Sequence, residues 1–254
     1  MIRPRIIPSL LIRDKGLVKT VNFKNEKYIG DPLNATRIFN DKEVDEIVIF
    51  DIDASVKNNE PDFNLIEKIA RQSRMPLCYG GGVKSEAAAQ KILELGVEKI
   101  ALSSLFFENL KVVSGMVRKL GSQSVVLVLD VKKNNENQYT VYIHNGTVEI
   151  KENLFSIISK AEETGIGEII INSIDRDGTM EGYDFALLEK VRNATSLPLS
   201  FLGGAGSLND IKKVIKKHGN VGVAAGSLFV YCDSKKAVLI TYPSKEEKNK
   251  LFKY

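Results

Sequence analysis

Four aspartates in this sequence close short apolar runs or follow directly on them. Asp51 ends Glu46-Ile47-Val48-Ile49-Phe50, and Asp130 ends Val125-Val126-Leu127-Val128-Leu129. Asp175 and Asp177 lie in Ser173-Ile174-Asp175-Arg176-Asp177-Gly178-Thr179, just past Glu168-Ile169-Ile170-Ile171-Asn172. A carboxylate can serve as general acid or base when burial or a neighbouring like charge raises its proton affinity toward neutrality. Asp130 is the first choice for catalysis, with Asp51, Asp175 and Asp177 as supporting acids. The two histidines, His144 and His218, fall in a turn and near a helix end, and read as surface or structural. No His/Cys/Asp cluster has metal-ligand spacing. The site therefore reads as carboxylate-based, with no metal and no cofactor.

A second group of residues suits anion binding. The run Leu197-Pro198-Leu199-Ser200-Phe201-Leu202 leads into Gly203-Gly204-Ala205-Gly206, and Val221-Gly222-Val223-Ala224-Ala225 leads into Gly226-Ser227. Earlier, Met75-Pro76-Leu77-Cys78-Tyr79 leads into Gly80-Gly81-Gly82, and Lys99-Ile100-Ala101-Leu102 leads into Ser103-Ser104. Glycines at a strand-to-helix turn expose backbone N–H groups at the positive end of a helix dipole, which is a phosphate cradle. A plain tight turn is the other reading of each glycine alone. Lys19 reads either as a residue that reaches a phosphate or as a solvated lysine.

These residues recur. The run from Glu46 to Asp53 corresponds to the run from Glu168 to Asp175, and the two glycine clusters carry proline at matching offsets. A spacing of roughly 120 residues points to a duplicated half-barrel, approximately 1–121 and 122–254, with two phosphate sites on opposite sides of one ring. The elements that hold the residues alternate between short apolar strands and amphipathic helices. The 254 residues suit a single (β/α)₈ barrel, a fold whose active groups sit at the C-terminal strand ends. Arg5, Glu46, Lys99 and Glu168 start strands and would crowd the opposite opening, either as a structural plug or as a channel gate with a docked protein. Asn145-Gly146 signals a hairpin, read as a small β insertion near 132–150. Residues 13–32 read as a long polar connection of the lid kind, and the segment from Ser244 to Lys248 as a solvated tail.

The composition excludes several classes. A net charge of +4 from 36 basic and 32 acidic residues gives no electrostatic footprint for nucleic acid. Two cysteines make no disulfide framework; Cys78 reads as core and Cys232 as inert. No stretch has the apolar length of a membrane span. Arg3, Arg5 and Arg13 interrupt the start of the chain as no signal peptide would allow, so a cytoplasmic protein is expected.

The motifs Arg5-Ile6-Ile7-Pro8, Lys19, Gly30-Asp31-Pro32, Gly80-Gly81-Gly82, Gly121-Ser122-Gln123, the run from Ser173 to Thr179, and Gly203-Gly204-Ala205-Gly206 carry a family likeness. Over essentially its full length the chain resembles the cyclase subunit of imidazole glycerol phosphate synthase. The resemblance implies a barrel that receives ammonia from a separate glutaminase subunit docked on its N-terminal face. Ammonia would pass the ring Arg5, Glu46, Lys99 and Glu168 and meet a bisphosphorylated formimino-aminocarboxamide ribonucleotide at the top. Lysis and cyclisation would follow. The matched phosphate-binding positions are Lys19, Gly81, Gly82, Ser103, Ser104, Gly203, Gly204, Gly226 and Ser227.

One departure bears on the chemistry. The family pairs an aspartate ending strand one with the one matched by Asp130, and the first falls on Leu11 here. Ser103-Ser104 also replaces Asn-Thr, and residues 13–20 depart from the family's loop. These changes resemble a divergent branch of cyclase-like proteins that work with a glutaminase-like partner and a third amidotransferase. That branch installs acetamidino groups on amino sugars of surface polysaccharides. A histidine-pathway cyclase and a non-catalytic ammonia conduit or scaffold are the alternatives.

Overall fold

A computed structural model of the chain describes residues 3–232 and 236–252. Twelve strands run in chain order: β1 (Arg5–Arg13), β2 (Gly16–Val21), β3 (Lys24–Gly30), β4 (Ile47–Asp51), β5 (Leu77–Gly80) and β6 (Lys99–Leu102) form the first six. The rest are β7 (Val125–Lys133), β8 (Tyr139–Ile143), β9 (Val148–Ile150), β10 (Glu168–Ser173), β11 (Leu199–Leu202) and β12 (Gly222–Ala225). Eight of them close a parallel (β/α)₈ barrel in the order β1-β4-β5-β6-β7-β10-β11-β12, with β12 pairing back to β1.

The apolar runs form strands buried on both faces, as a parallel sheet requires. Alternation then sends successive residues to opposite sides. On β7, Val126 and Val128 face the barrel interior, while Leu127, Leu129 and Val131 join the larger core beneath the helices. The interior cluster comprises Ile7, Val48, Cys78, Ala101, Val126, Val128, Ile170, Leu202 and Ala224, with Phe50 against it. The same inward faces carry Arg5, Glu46, Lys99 and Glu168 at the bottom, and Leu11, Asp130 and Asn172 at the top. From Glu168 to Asn172 is four residues of strand, about 13 Å.

Helices cover the outside. Those at Pro32–Asp41, Phe63–Gln72, Glu86–Glu94, Leu110–Leu120, Leu154–Thr164, Phe185–Ala194 and Leu208–His218 begin with side-chain caps from Asp31, Asp62, Ser85, Asn109, Asn153, Asp184 and Ser207. Each cap satisfies an amide that the helix leaves unpaired and contributes about 1 kcal/mol. Among the described residues no helix is long and apolar enough to cross a membrane.

Three regions differ from the sequence reading. Residues 13–32 are not an irregular connection: β2 pairs antiparallel with the end of β1, and β3 pairs with β2. The exposed β3 is Lys24-Asn25-Glu26-Lys27-Tyr28-Ile29-Gly30, an edge strand with almost no apolar signal. The segment starting at Ser244 is not a solvated tail. Lys245–Phe252 is a helix that buries Leu251 and sets Lys248 Nζ 2.9 Å from Asp45. The helix after Gly226 spans only Ser227–Val230.

β1 and β7, each nine residues, are longer than the other barrel strands and lie diametrically opposite. Each continues past the rim into an antiparallel hairpin, β2–β3 from one and β8–β9 from the other.

Candidate active site

The cavity at the C-terminal strand ends encloses about 1130 Å³ of empty space, part of it open to solvent. Asp130 lies on its wall. Burial raises the proton affinity of this carboxyl to a pKa of about 7; a hydrogen bond from Asn172 opposes the rise, and Asp177 adds to it. Asn172 Nδ2 donates to Asp130 Oδ1 at 2.8 Å. Leu11 lines the same cavity, so a hydrocarbon stands where the resemblance places a second acid.

Lys19 is buried on β2 and has no hydrogen bond or ion pair among the described residues. Burial lowers its proton affinity, and Asp177 partly offsets this. Its Nζ approaches the Cα of Gly226 so closely that a Cβ there would clash with it. Asp177 is buried and accepts from Thr20 Oγ1 at 2.7 Å, and its carbonyl accepts from Asn22 N at 2.8 Å. It therefore docks the β2–β3 hairpin on the turn after β10. Gly178 makes this contact possible, because a Cβ there would strike the Thr20 carbonyl.

The two remaining acids have separate duties. Asp51 lines the cavity and accepts from the amides of Asp53 and Ala54 at 3.2 and 3.1 Å. Burial raises its proton affinity. Asp175 does not line the cavity; it accepts from Lys133 N at 2.9 Å and ties the turn to β7.

The two glycine clusters are unequal. Gly81, Gly82, Ser103 and Ser104 line the cavity, and the two serine hydroxyls have no partner among the described residues. Gly82 N donates to Ser55 Oγ at 3.2 Å. By contrast, Gly203, Gly204, Gly226 and Ser227 are buried and do not line the cavity. Gly182 N donates to Gly204 O at 2.7 Å, and a side chain on Gly204 would meet the Gly182 carbonyl. The strain of a substitution at Gly204, with φ of +105°, comes from that backbone.

At the opposite end the four charges form a closed ring. Arg5 pairs with Glu46 and, at 2.7 Å, with Glu168; Lys99 Nζ lies 2.9 Å from both carboxylates. Ser200 Oγ also donates to Glu168. Burial alone would raise the Glu168 carboxyl, but Arg5, Lys99 and Ser200 overcome it and hold its pKa at about 2.

Several cavity residues carried no clear sequence signal. Arg13 bonds Asp53 and Glu26 at the rim. Phe23 reaches the wall from the unforeseen hairpin. Asn172 was legible only through its period-two spacing from Glu168. His144, read as surface or structural, lines the cavity with Asn145, and its Nε2 stands 3.2 Å from Glu108. His218 is half-buried against Phe201.

The family described as histidine biosynthesis protein matches residues 5–235. A Leptospira borgpetersenii protein named putative imidazole glycerol phosphate synthase subunit HisF is 54% identical over 253 residues, 99% of this chain and 100% of the relative. A Pseudomonas aeruginosa protein named putative imidazole glycerol phosphate synthase subunit hisF2 is 46% identical over 243 residues, 96% of this chain and 97% of the relative. The Streptococcus sanguinis imidazole glycerol phosphate synthase subunit HisF is 34% identical over 231 residues, 91% and 92% of the two chains. The chain belongs to the HisF family of imidazole glycerol phosphate synthase subunits.

Proposed function

We propose that the chain is the ammonia-using subunit of a glutamine-dependent synthase of the imidazole glycerol phosphate type. A glutaminase docks beside the ring of Arg5, Glu46, Lys99 and Glu168, and ammonia reacts with a phosphorylated acceptor beside Asp130. The observation that carries this reading is Asp130 itself: a half-buried carboxyl on the cavity wall with a pKa of about 7, above an apolar barrel interior that begins at a fully paired charged ring. An apolar passage favours neutral ammonia over ammonium, because an unpaired charge is costly to bury. Near neutral pH a carboxyl that titrates at about 7 is able both to give and to accept a proton. Gly81, Gly82, Ser103 and Ser104 hold a phosphate of the acceptor on one side of the mouth, and Lys19 reaches the opposite side, beside Gly226.

Full-length similarity to proteins named as HisF subunits supports the histidine-pathway ribonucleotide as acceptor, with lysis and cyclisation as the reaction. Leu11 favours a second reading. A two-carboxylate mechanism lacks one member here, which suits a different acceptor, such as an amino sugar that gains an acetamidino group with a third amidotransferase. Turnover of the histidine-pathway ribonucleotide with added ammonium decides between them. Rapid turnover, with rescue of a cyclase-deficient auxotroph, supports the first reading. No turnover, with amidination in the complete complex that fails in Asp130→Asn, supports the second. Amidination that survives Asp130→Asn leaves this subunit as a conduit.

A further inference from the structure

We propose that Asn172 is a positioning residue for Asp130, one that holds Oδ1 of that carboxyl and reserves Oδ2 for proton exchange with the ligand. This rests on the reading of Asp130 as the acid–base group. Strands β7 and β10 pair in parallel with Asn172 directly beside Asp130, and both residues line the cavity. Neighbouring strands lie about 4.8 Å apart, a span that two short side chains bridge. Asn172 Nδ2 donates to Asp130 Oδ1 at 2.8 Å. Asp130 Oδ2 has no hydrogen bond among the described residues and is not closed off from solvent. The two oxygens of one carboxyl are thereby made unequal.

The Asn172 side chain makes no other hydrogen bond among the described residues. It is buried, and its Oδ1 is closed off without a partner. Below it on the inward faces of the two strands stand Ile170, Val126 and Val128, all apolar. A side chain kept only for packing would continue that pattern and would not leave a buried carbonyl unpaired. The reverse orientation of the amide would turn its oxygen on the carboxylate and bury an unpaired NH₂ group, so the donor faces Asp130. A Cβ on Gly203 would lie 3.3 Å from Asn172 Oδ1, so the glycine there also leaves the amide its place.

In a neutral carboxyl one oxygen carries the hydrogen and the other accepts. Oδ1 accepts from Asn172, so the hydrogen sits on Oδ2, on the cavity side. When Oδ2 gives it up, the bond from Nδ2 strengthens because its acceptor is now charged. The carboxylate therefore keeps its orientation for the return of a proton. The other ionisable groups on the wall are Arg13, Lys19, Asp51, His144 and Asp177, and Tyr142 on β8 is the register partner of Asp130. Of these, Asp177 acts on Asp130 and, as a like charge, favours its neutral form; Asn172 favours the ionised form. An amide, unlike a cation, holds the oxygen without fixing the charge.

The test compares the full chain with Asn172→Leu, which removes the donor at similar side-chain size. Infrared difference spectra across pH report carboxyl protonation, and the Asp130 band is the one lost in Asp130→Asn. In Asn172→Leu the proton affinity of Asp130 should rise about tenfold, as expected for losing one hydrogen bond to a charged group. The C=O band of neutral Asp130 should move to higher wavenumber, because Nδ2 no longer draws on that oxygen. The pH profile of ammonia-dependent turnover in the assembled complex should move upward by the same factor, which a merely structural loss would not do. A folded variant with an unchanged midpoint overturns the assignment. A shifted midpoint with an unmoved C=O band puts the hydrogen on Oδ1 and overturns it as well. Should Asn172→Leu misfold, the unaltered protein decides: the Asn172 side-chain NH₂ signals in ¹⁵N NMR should follow the Asp130 titration, and their indifference to it overturns the assignment. Undiminished turnover in Asp130→Asn, with the spectroscopic shifts intact, removes the acid–base reading alone and leaves Asn172 as the residue that orders the Asp130 carboxyl.

Discussion

The two ends of the barrel interior carry charges on the same inward strand faces and treat them oppositely. At the bottom, every buried charge is paired twice, and Glu168 stays ionised down to a pKa of about 2. At the top, Asp130 is half-buried and has only an amide N–H from Asn172, and its pKa climbs to about 7. Burial acts on both carboxyls in the same direction, so the difference between them is the difference in partners. The lower ring has fixed, mutually paired charges, whereas the upper carboxyl has no cation bonded to it.

The largest expected effect tests the upper end. Asp130→Asn should lower ammonia-dependent turnover about 10²–10⁴-fold in the assembled complex, measured with the acceptor that the unaltered complex uses. Undiminished turnover would remove Asp130 from the chemistry and leave the upper end a binding pocket.

Next comes the lower end. Glu168→Ala leaves Arg5 and Lys99 with Glu46 alone, a partly unpaired buried cluster. It should cost about 3–5 kcal/mol of stability in urea unfolding. A loss near zero would mean that the ring charges are solvated and the contrast is false.

The same Asp130→Asn variant sharpens the contrast through pH. Unfolded, Asp130 titrates near its ordinary 3.8; folded, near 7. Its raised value means that the folded state resists ionisation, so this residue destabilises the fold progressively as pH rises from about 4 to 7. The asparagine variant should be no more stable than the parent at pH 4, and more stable by up to about 4 kcal/mol at pH 8. Glu168 has the opposite sign. Its depressed value supplies stability above about pH 4.5 that disappears as pH falls toward 2. Urea midpoints across pH should therefore flatten above pH 4 in Asp130→Asn and below pH 4.5 in Glu168→Gln.

The smallest effect concerns the serine corner. Ser103→Ala and Ser104→Ala remove hydroxyls that bond nothing else among the described residues. Each should weaken phosphate binding by about 1 kcal/mol, seen by calorimetry, and leave the thermal midpoint unchanged.

Both ends were legible in the sequence because period-two alternation in a parallel barrel is rigid: Glu168, Ile170 and Asn172 must share a face, as must Val126, Val128 and Asp130. Lys19 was visible as a residue but not as a buried one, since the polar β3 hid the hairpin that buries it. The second glycine cluster looked equal to the first by composition. Gly182, more than twenty residues earlier in the chain, donates to the Gly204 carbonyl, and no local pattern announces that contact. His144 was lost for a similar reason: the Asn-Gly signal explained the turn and left the preceding residue without a role. The terminal helix is short and charged, and its single buried leucine gives no period.

The two hairpins that grow from β1 and β7 are beams clamped at the root and tied again toward the tip, the first by Thr20 and Asn22 to the turn after β10 and the second by Asn145 to the Ile52 carbonyl. Neither is hinged to the barrel by a flexible linker; each is the outer length of a strand whose inner length carries Leu11 or Asp130. Their tips meet where Gly146 packs against Phe23. Parting those tips bends each beam at its root, in the wall that holds Leu11 or Asp130. Opening the mouth thus loads the same strands that position the Asp130 carboxyl, and the stiffness of the sheet sets how far a ligand can pry it.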